Sequence, residues 1–226
     1  MTRAVLLDTE TTGLEPHLGH RIIEIAAVEL VNDVPTGREY HRLLDPERDI
    51  PEEATRVHGF TRAHVLGKPR FAAIAVELLA FLGDGPLIAH NAAFDLAFLN
   101  AELALLGSTP LPSERMIDTL LLAKTRFPGL PNSLDALCRR FNIDLSARTT
   151  HNALLDCRLL AKVYLELTGG RQRNFTLQAE KRAPAAIAYA AAAPRTPRLM
   201  EVLPPELEAH RTLVRRLREP LWIAEA

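Results

Sequence analysis

Cysteine is scarce in this chain, with Cys138 and Cys157 the two in 226 residues. Both fall inside amphipathic helical patterns, at no metal-ligand spacing. That rules out a disulfide framework and leaves them as expected reduced core residues. No apolar run is long enough to span a bilayer, and residues after Met1 enter a strand without the apolar segment of a secretory leader. A cytoplasmic chain with no membrane partner is the expectation. Excess charge is missing too, at net −1. The balance is uneven: residues 171–226 hold ten Lys/Arg against six Asp/Glu, and residues 1–170 hold seventeen against twenty-two. An acidic body with a basic tail does not grip a polyanion by charge alone, so work on nucleic acid would need metal ions or a partner.

What is present is apolar and periodic. At 47% hydrophobic, the chain can bury one substantial core with a tail left over. Residues 3–8, 21–32, 39–44 and 86–90 read as strands. Helical periodicity follows at Phe71, Ile74 and Leu78, at Phe94, Phe98 and Leu105, at Leu134, Leu137 and Phe141, and at Leu154, Leu155, Leu159 and Val163. Strands first and alternating elements afterwards predict an α/β fold, a mixed sheet flanked by helices, over residues 1–170. Residues 171–198 read as an Ala/Pro-rich flexible linker, "APAAIAYAAAAPRTPR", and 199–226 as a candidate amphipathic helix with more apolar residues than a solvated tail needs. A partner surface is expected to cover it.

Three short stretches carry the chemistry. "DTETTG" at 8–13 ends an apolar strand, and residues i and i+2 of a strand share a face, so Asp8 and Glu10 converge if Thr9 points away. "HNAAFD" at 90–95 and "HNALLD" at 151–156 each place an Asp in the first turn of a helix, where the macrodipole favours negative charge. Asp95 and Asp156 can then join the pair. Four carboxylates in one volume repel, and hard divalent cations such as Mg²⁺ or Mn²⁺ cancel that repulsion. Two ions roughly 3.5 to 4 Å apart can clamp the attacking and leaving oxygens of a phosphodiester. Five residues of helix turn through about 140°, so neither histidine shares a helical face with its own Asp. His90 closes an apolar strand and reads as fixed by packing. His151 follows the polar "SARTT" and is freer to move.

These three motifs, in this order and spacing, resemble those of the DEDD superfamily of 3′ to 5′ exonucleases, in the branch that uses a histidine. Within it the chain is most similar to the family of epsilon proofreading subunits of bacterial DNA polymerase III. The likeness covers residues 4–170, including "RIIEIAAVE", "VHG", "NSLDALC" and "LAKVYLELTGG", and touches the tail at "PELEAH" and "LW". It implies a ribonuclease-H-like fold and two Mg²⁺ or Mn²⁺ ions. Asp8 would bridge both, Glu10 and Asp156 would hold the first, and Asp95 would act through coordinated water. His151 would be the general base, releasing nucleoside 5′-monophosphates from DNA 3′ ends, single-stranded or frayed. Glu53, His58, Asn91 and Phe94 match positions that approach the terminal nucleotide, although a surface loop also explains the first two. Leu14 is an apolar wedge or a core residue. Gln172, Phe175 and Leu177 match a sliding-clamp peptide or simply pack back on the preceding helix. The terminal segment would bind the polymerase III alpha subunit. An RNA 3′-end trimming exonuclease and a non-catalytic polymerase scaffold are the rival readings. Asp84, Asp135 and Asp144 read as caps or solvated residues, Asp118 as a cap or a support for the site, and Gly13 as permitting a turn.

Overall fold

The computed structural model describes residues 2–148, 150–169 and 201–217. Two compact units divide at Phe175/Thr176. In the first, β1 (Arg3–Thr11), β2 (Ile22–Val31), β3 (Val34–Leu43), β4 (Leu87–Ala89) and β5 (Met116–Asp118) form one sheet in the order β3-β2-β1-β4-β5. The first three strands are antiparallel neighbours, and β4 and β5 join in parallel. A two-residue hairpin links β2 to β3, with Asn32 and Asp33 both at positive φ, the geometry that matches strand twist and that Asn and Asp tolerate best.

The two faces of the sheet bury separate cores, and strand alternation assigns each side chain to one of them. Val5, Leu7, Ile25, Ala27, Leu87 and Ala89 pack on α3 (Phe71–Leu82) and α4 (Ala92–Leu105) through Ile74, Leu78, Phe98 and Leu103. Ala4, Leu6, Ala26, Val28 and Ile88 pack on α5 (Thr119–Arg126), α6 (Leu134–Arg140) and α7 (Ala153–Leu167). Both cysteines are buried on this second side and unpaired, as expected. The short α1 (Glu52–His58) and α2 (Arg62–Val65) lie between β3 and α3 in the chain. Because β2 is covered on both faces, its one polar residue near the site, Glu24, is wholly buried. Its carboxylate accepts from the Asn152 side chain (2.9 Å) and the Ala153 backbone N–H (2.9 Å) and pairs with His41 Nε2 (2.7 Å). An acceptor on the sheet thus satisfies an orphan donor at the start of α7 and fixes where that helix begins.

Differences from the sequence reading are local. β3 starts five residues earlier than the apolar run at 39–44, because Val34 to Arg38 are exposed and carry little hydrophobic signal. β5 and α5 went unread, since three half-buried residues running straight into a helix offer no alternation. Gly13 does not take a positive φ; what it provides is room, since a Cβ there would stand 2.3 Å from the His20 ring and force it to move. In the second unit, α8 (Pro204–Arg216) forms where the amphipathic helix was expected, with Pro204 and Pro205 at its start and Leu207 and Leu213 exposed. The whole 171–198 linker, with the clamp-peptide residues Gln172, Phe175 and Leu177, lies outside the described residues, as does Trp222.

Candidate active site

The carboxylates gather where β1 runs out of apolar residues. Leu6, Asp8 and Glu10 share the face turned toward α7, and Glu10 stands directly opposite Glu24 across the antiparallel pair. Asp156, in the first turn of α7, is reached from that side. Ligand atoms of Glu10, Asp156 and His151 all lie within 4.8 Å of one another. Asp95 arrives from α4 on the opposite face. Thr9 points away from Asp8 and Glu10, as expected, and on that opposite face its hydroxyl donates to Asp95 Oδ1 at 2.8 Å. The strand therefore uses consecutive residues on alternate faces, Asp8 and Glu10 on one and Thr9 on the other, to bring both helix starts to its end.

Crowding shows in the proton affinities. Burial first, then the charges of Asp95, Glu10, Asp156 and Glu24, raise the Asp8 carboxyl well above its usual range. Glu10 is pushed up to about 8 by burial and by the charges of Glu24 and Asp156, with Arg148 opposing. Asp95 is pushed up to about 7 by burial, against the pull of the Thr9 hydroxyl. His151 is half-exposed, and burial together with the Arg148 charge lowers its pKa, which favours the neutral ring.

The two H-N-A-x-x-D stretches are built differently. Asn152 caps α7 through its side chain, accepting from Leu155 N at 3.0 Å. Asn91 instead adopts the left-handed region, and its N–H donates to Asp118 Oδ1 at 3.1 Å. Asp118 also caps α5 through Leu120 N, so the cap and the support for the motif are one carboxylate. Thr119 spends its proton on the Ala89 carbonyl (3.1 Å), which obliges His90 Nδ1 to donate to the Thr119 hydroxyl (2.9 Å) and holds that ring in place.

Two cavities meet the carboxylates. One, of ≈ 480 Å³, is lined by Asp8, His90, Asp135, Arg148, His151 and Asp156. The other, of ≈ 450 Å³, is lined by Glu10, Leu14, Glu53, Val57, His58 and Phe94. Leu14 is 80% exposed, which removes the core-packing alternative. His58 is buried, stacks on Phe60, accepts from its N–H at Nδ1 (3.0 Å), and among the described residues finds no hydrogen-bond partner for Nε2. Asn91 is exposed and lines neither cavity.

Sequence reasoning passed over two residues. Glu24 was legible as a charge inside an apolar strand; Arg148, in "SARTT", had no such signal. Its guanidinium, 9% exposed, forks onto Asp156 with Nε–Oδ1 at 2.6 Å and Nη2–Oδ2 at 2.7 Å. The same group donates to His151 Nδ1 (3.0 Å) and to Asp135 Oδ1 (2.7 Å). Asp135 is accordingly an ion-pair partner, and Ser133 is the residue that caps α6.

This constellation, four carboxylates and a histidine at the end of β1 in a mixed five-stranded sheet, accords with the exonuclease family model, which matches residues 5–164. The chain belongs to that family. It is 52% identical over 178 residues to the DNA polymerase III subunit epsilon of Rickettsia typhi, covering 77% of this chain and 78% of that one. Against the DNA polymerase III subunit epsilon of Escherichia coli K12 it is 46% identical over 179 residues, covering 76% and 73%. Among solved structures it is similar to exonuclease X in complex with 5′ overhanging duplex DNA, with a TM-score of 0.59 and 28% identity over 74% of this chain and 91% of that one. Exonuclease I of E. coli shares the fold, at a TM-score of 0.65 and 19% identity over 76% of this chain and 41% of that one. The fold is ribonuclease-H-like, and the function is that of an epsilon-type proofreading exonuclease in DNA replication. Among the described residues no helix is long and apolar enough to cross a membrane.

A raised carboxyl pKa sets the sign of a pH effect. Between the ordinary value of 4.5 and about 8, folded Glu10 keeps a proton that the unfolded chain has lost, and Asp95 behaves alike between 3.8 and about 7. The unfolded state binds fewer protons across that window, so stability falls as pH rises. Thermal melting in chelator should show a midpoint that drops from pH about 5 to pH about 8, and excess Mg²⁺ should flatten the drop by replacing the protons. A midpoint in chelator that rises over that range would contradict the burial of these acids.

Proposed function

We propose that this exonuclease hydrolyses the terminal phosphodiester at DNA 3′ ends, single-stranded or frayed from a primer, with two divalent cations and His151 as general base. The convergence of Glu10, Asp156 and His151 within 4.8 Å, beside Asp8 and Asp95, is the observation that carries the reading. The donor set fits hard cations: four carboxylates contribute oxygen, and three of them resist ionising without a positive partner. Asp8, Glu10, Asp95 and Asp156 would hold Mg²⁺ or Mn²⁺, which when bound activate the attacking water and offset charge on the leaving oxygen.

The protein's own groups do the rest. The neutral imidazole of His151 takes the proton from the attacking water. Leu14, Val57 and Phe94 offer apolar surface to the terminal base and sugar, and Glu53 and His58 supply polar groups in the same cavity. Asn91, at the start of α4 and outside that cavity, is kept as a nucleotide contact on the family resemblance alone. His151→Ala should lower turnover on a 3′-labelled, mispaired DNA strand by roughly 10²- to 10⁴-fold while Mn²⁺ affinity is kept. Loss of Mn²⁺ binding in step with activity would make His151 a ligand instead, and faster hydrolysis of the same sequence as RNA would favour the trimming alternative.

The tail is proposed as the tether. A body of net negative charge holds DNA poorly; the relatives are named as subunits of DNA polymerase III, and the alpha subunit of that enzyme is the partner proposed for the terminal segment. The exposed Leu207 and Leu213 of α8 are suited to such a surface. A clamp contact through Gln172, Phe175 and Leu177 would add a second attachment. Linking raises effective concentration to about the millimolar range for short flexible tethers, and this substitutes for charge attraction. Removing residues 199–226 should abolish binding to the alpha subunit and leave cleavage of a short single strand nearly unchanged. Lost cleavage of the free oligonucleotide would show that the segment serves the catalytic body.

A further inference from the structure

Arg148 is the strongest cation in the site, and it sits on the residues that the reaction needs. Both oxygens of Asp156 are engaged by its fork, at 2.6 and 2.7 Å, and the side chain is almost wholly enclosed. The fork takes one lone-pair site on each oxygen, so anything that binds the remaining sites must sit beside a fixed positive charge. A divalent cation that takes Asp156 as a ligand therefore meets the charge of the guanidinium at close range, and moving an arm of the fork relieves that repulsion.

The same guanidinium also controls the histidine. Arginine only donates, so the 3.0 Å contact makes His151 Nδ1 the acceptor and puts the proton of the neutral ring on Nε2. The one lone pair of the imidazole is then covered, and the ring is unable to take a proton from water. Moving Arg148 frees the Asp156 oxygens and the His151 lone pair together. The third arm, Nη1 on Asp135 Oδ1 at 2.7 Å, touches neither group, and Asp135 is partly open to solvent. It gives the displaced guanidinium somewhere to remain.

We propose that Arg148 is a latch: its guanidinium competes with the divalent cation for Asp156, so that loading of the cation and release of the His151 lone pair occur in one move, with Asp135 holding the displaced arginine. This rests on the assignment of Asp156 as a metal ligand and His151 as the base. Arg148 itself is a positioning residue. It differs from an ordinary buried ion pair in one respect: a structural pair would stay closed when metal binds, whereas the latch must open.

Calorimetric titration of Mn²⁺ into the full-length chain, without DNA, separates the possibilities. Arg148→Ala should bind Mn²⁺ tighter than the wild type by roughly 5- to 150-fold, the usual range for two interactions that oppose each other. Arg148→Lys keeps the charge but lacks the fork, and it should follow the alanine variant. Nitrogen-15 spectra of the His151 ring report the second half of the move. In chelator the wild type should show the Nε2–H form, and Mg²⁺ should shift it, while Arg148→Ala should show no fixed form in chelator. Unchanged or weaker Mn²⁺ binding in Arg148→Ala overturns the latch, as does a lysine variant that matches the wild type, since charge alone would then explain the effect. Wild-type binding of Mn²⁺ that does not need Asp156 would overturn the ligand assignment, and the latch with it.

Discussion

Like charges packed beside one another at the end of a buried strand are the constraint to which the surrounding structure answers. Glu10 faces Glu24 across β1 and β2, Asp8 feels four other carboxylates, and Asp95 and Asp156 close in from two helices. An arrangement of this kind costs the folded state, and apolar packing elsewhere has to offset it. The sheet's two cores supply that packing, with Leu6, Leu7, Ile25 and Leu87 fully enclosed a few residues from the acids. Partial neutralisation is local: a hydroxyl at Asp95, two helix starts, and one guanidinium at Asp156.

Using both faces of one strand is what allows four carboxylates to meet without sharing a helix. Alternation sends Asp8 and Glu10 toward α7 and Thr9 toward α4, so each face contributes a helix start to the same strand end. Glu24 then fixes the start of α7 from the neighbouring strand, which sets where Asp156 stands relative to Glu10. Position of the chemistry thus follows from strand period and helix registration, two features that are rigid for reasons unrelated to catalysis.

Much of this was legible in the residues. Asp8 and Glu10 on one face followed from spacing alone, the two first-turn aspartates from repeated motifs, and β1, β2, α3, α4, α6 and α7 from apolar periodicity. Short elements with mixed exposure, β5 and the first half of β3, carried no period to read. Asp135 read as a cap because a helix start explains an aspartate equally well; the partner that distinguishes the two, Arg148, is thirteen residues away. Arg148 itself lay in a polar loop where sequence gives no hint of enclosure, because enclosure there comes from α6 and α7 folding around it. The contrast between His90, which closes an apolar strand, and His151, which follows a polar segment, was legible in the residues and agrees with the family likeness; the structure adds that His90 donates to Thr119, while His151 is half-exposed and accepts from Arg148.

The central claim is that the carboxylates are placed for a cation and at the expense of the fold. Replacing Asp8 by asparagine removes an ionisable group from the middle of the cluster while keeping its size, so activity should fall without a loss of stability. The most direct measurement is a thermal melt of Asp8→Asn in chelator, paired with a nuclease assay in Mg²⁺. The expected result is a midpoint equal to or above that of the wild type, with cleavage almost absent. A variant that melts clearly lower in chelator, or one that cleaves DNA at near the wild-type rate, would contradict it.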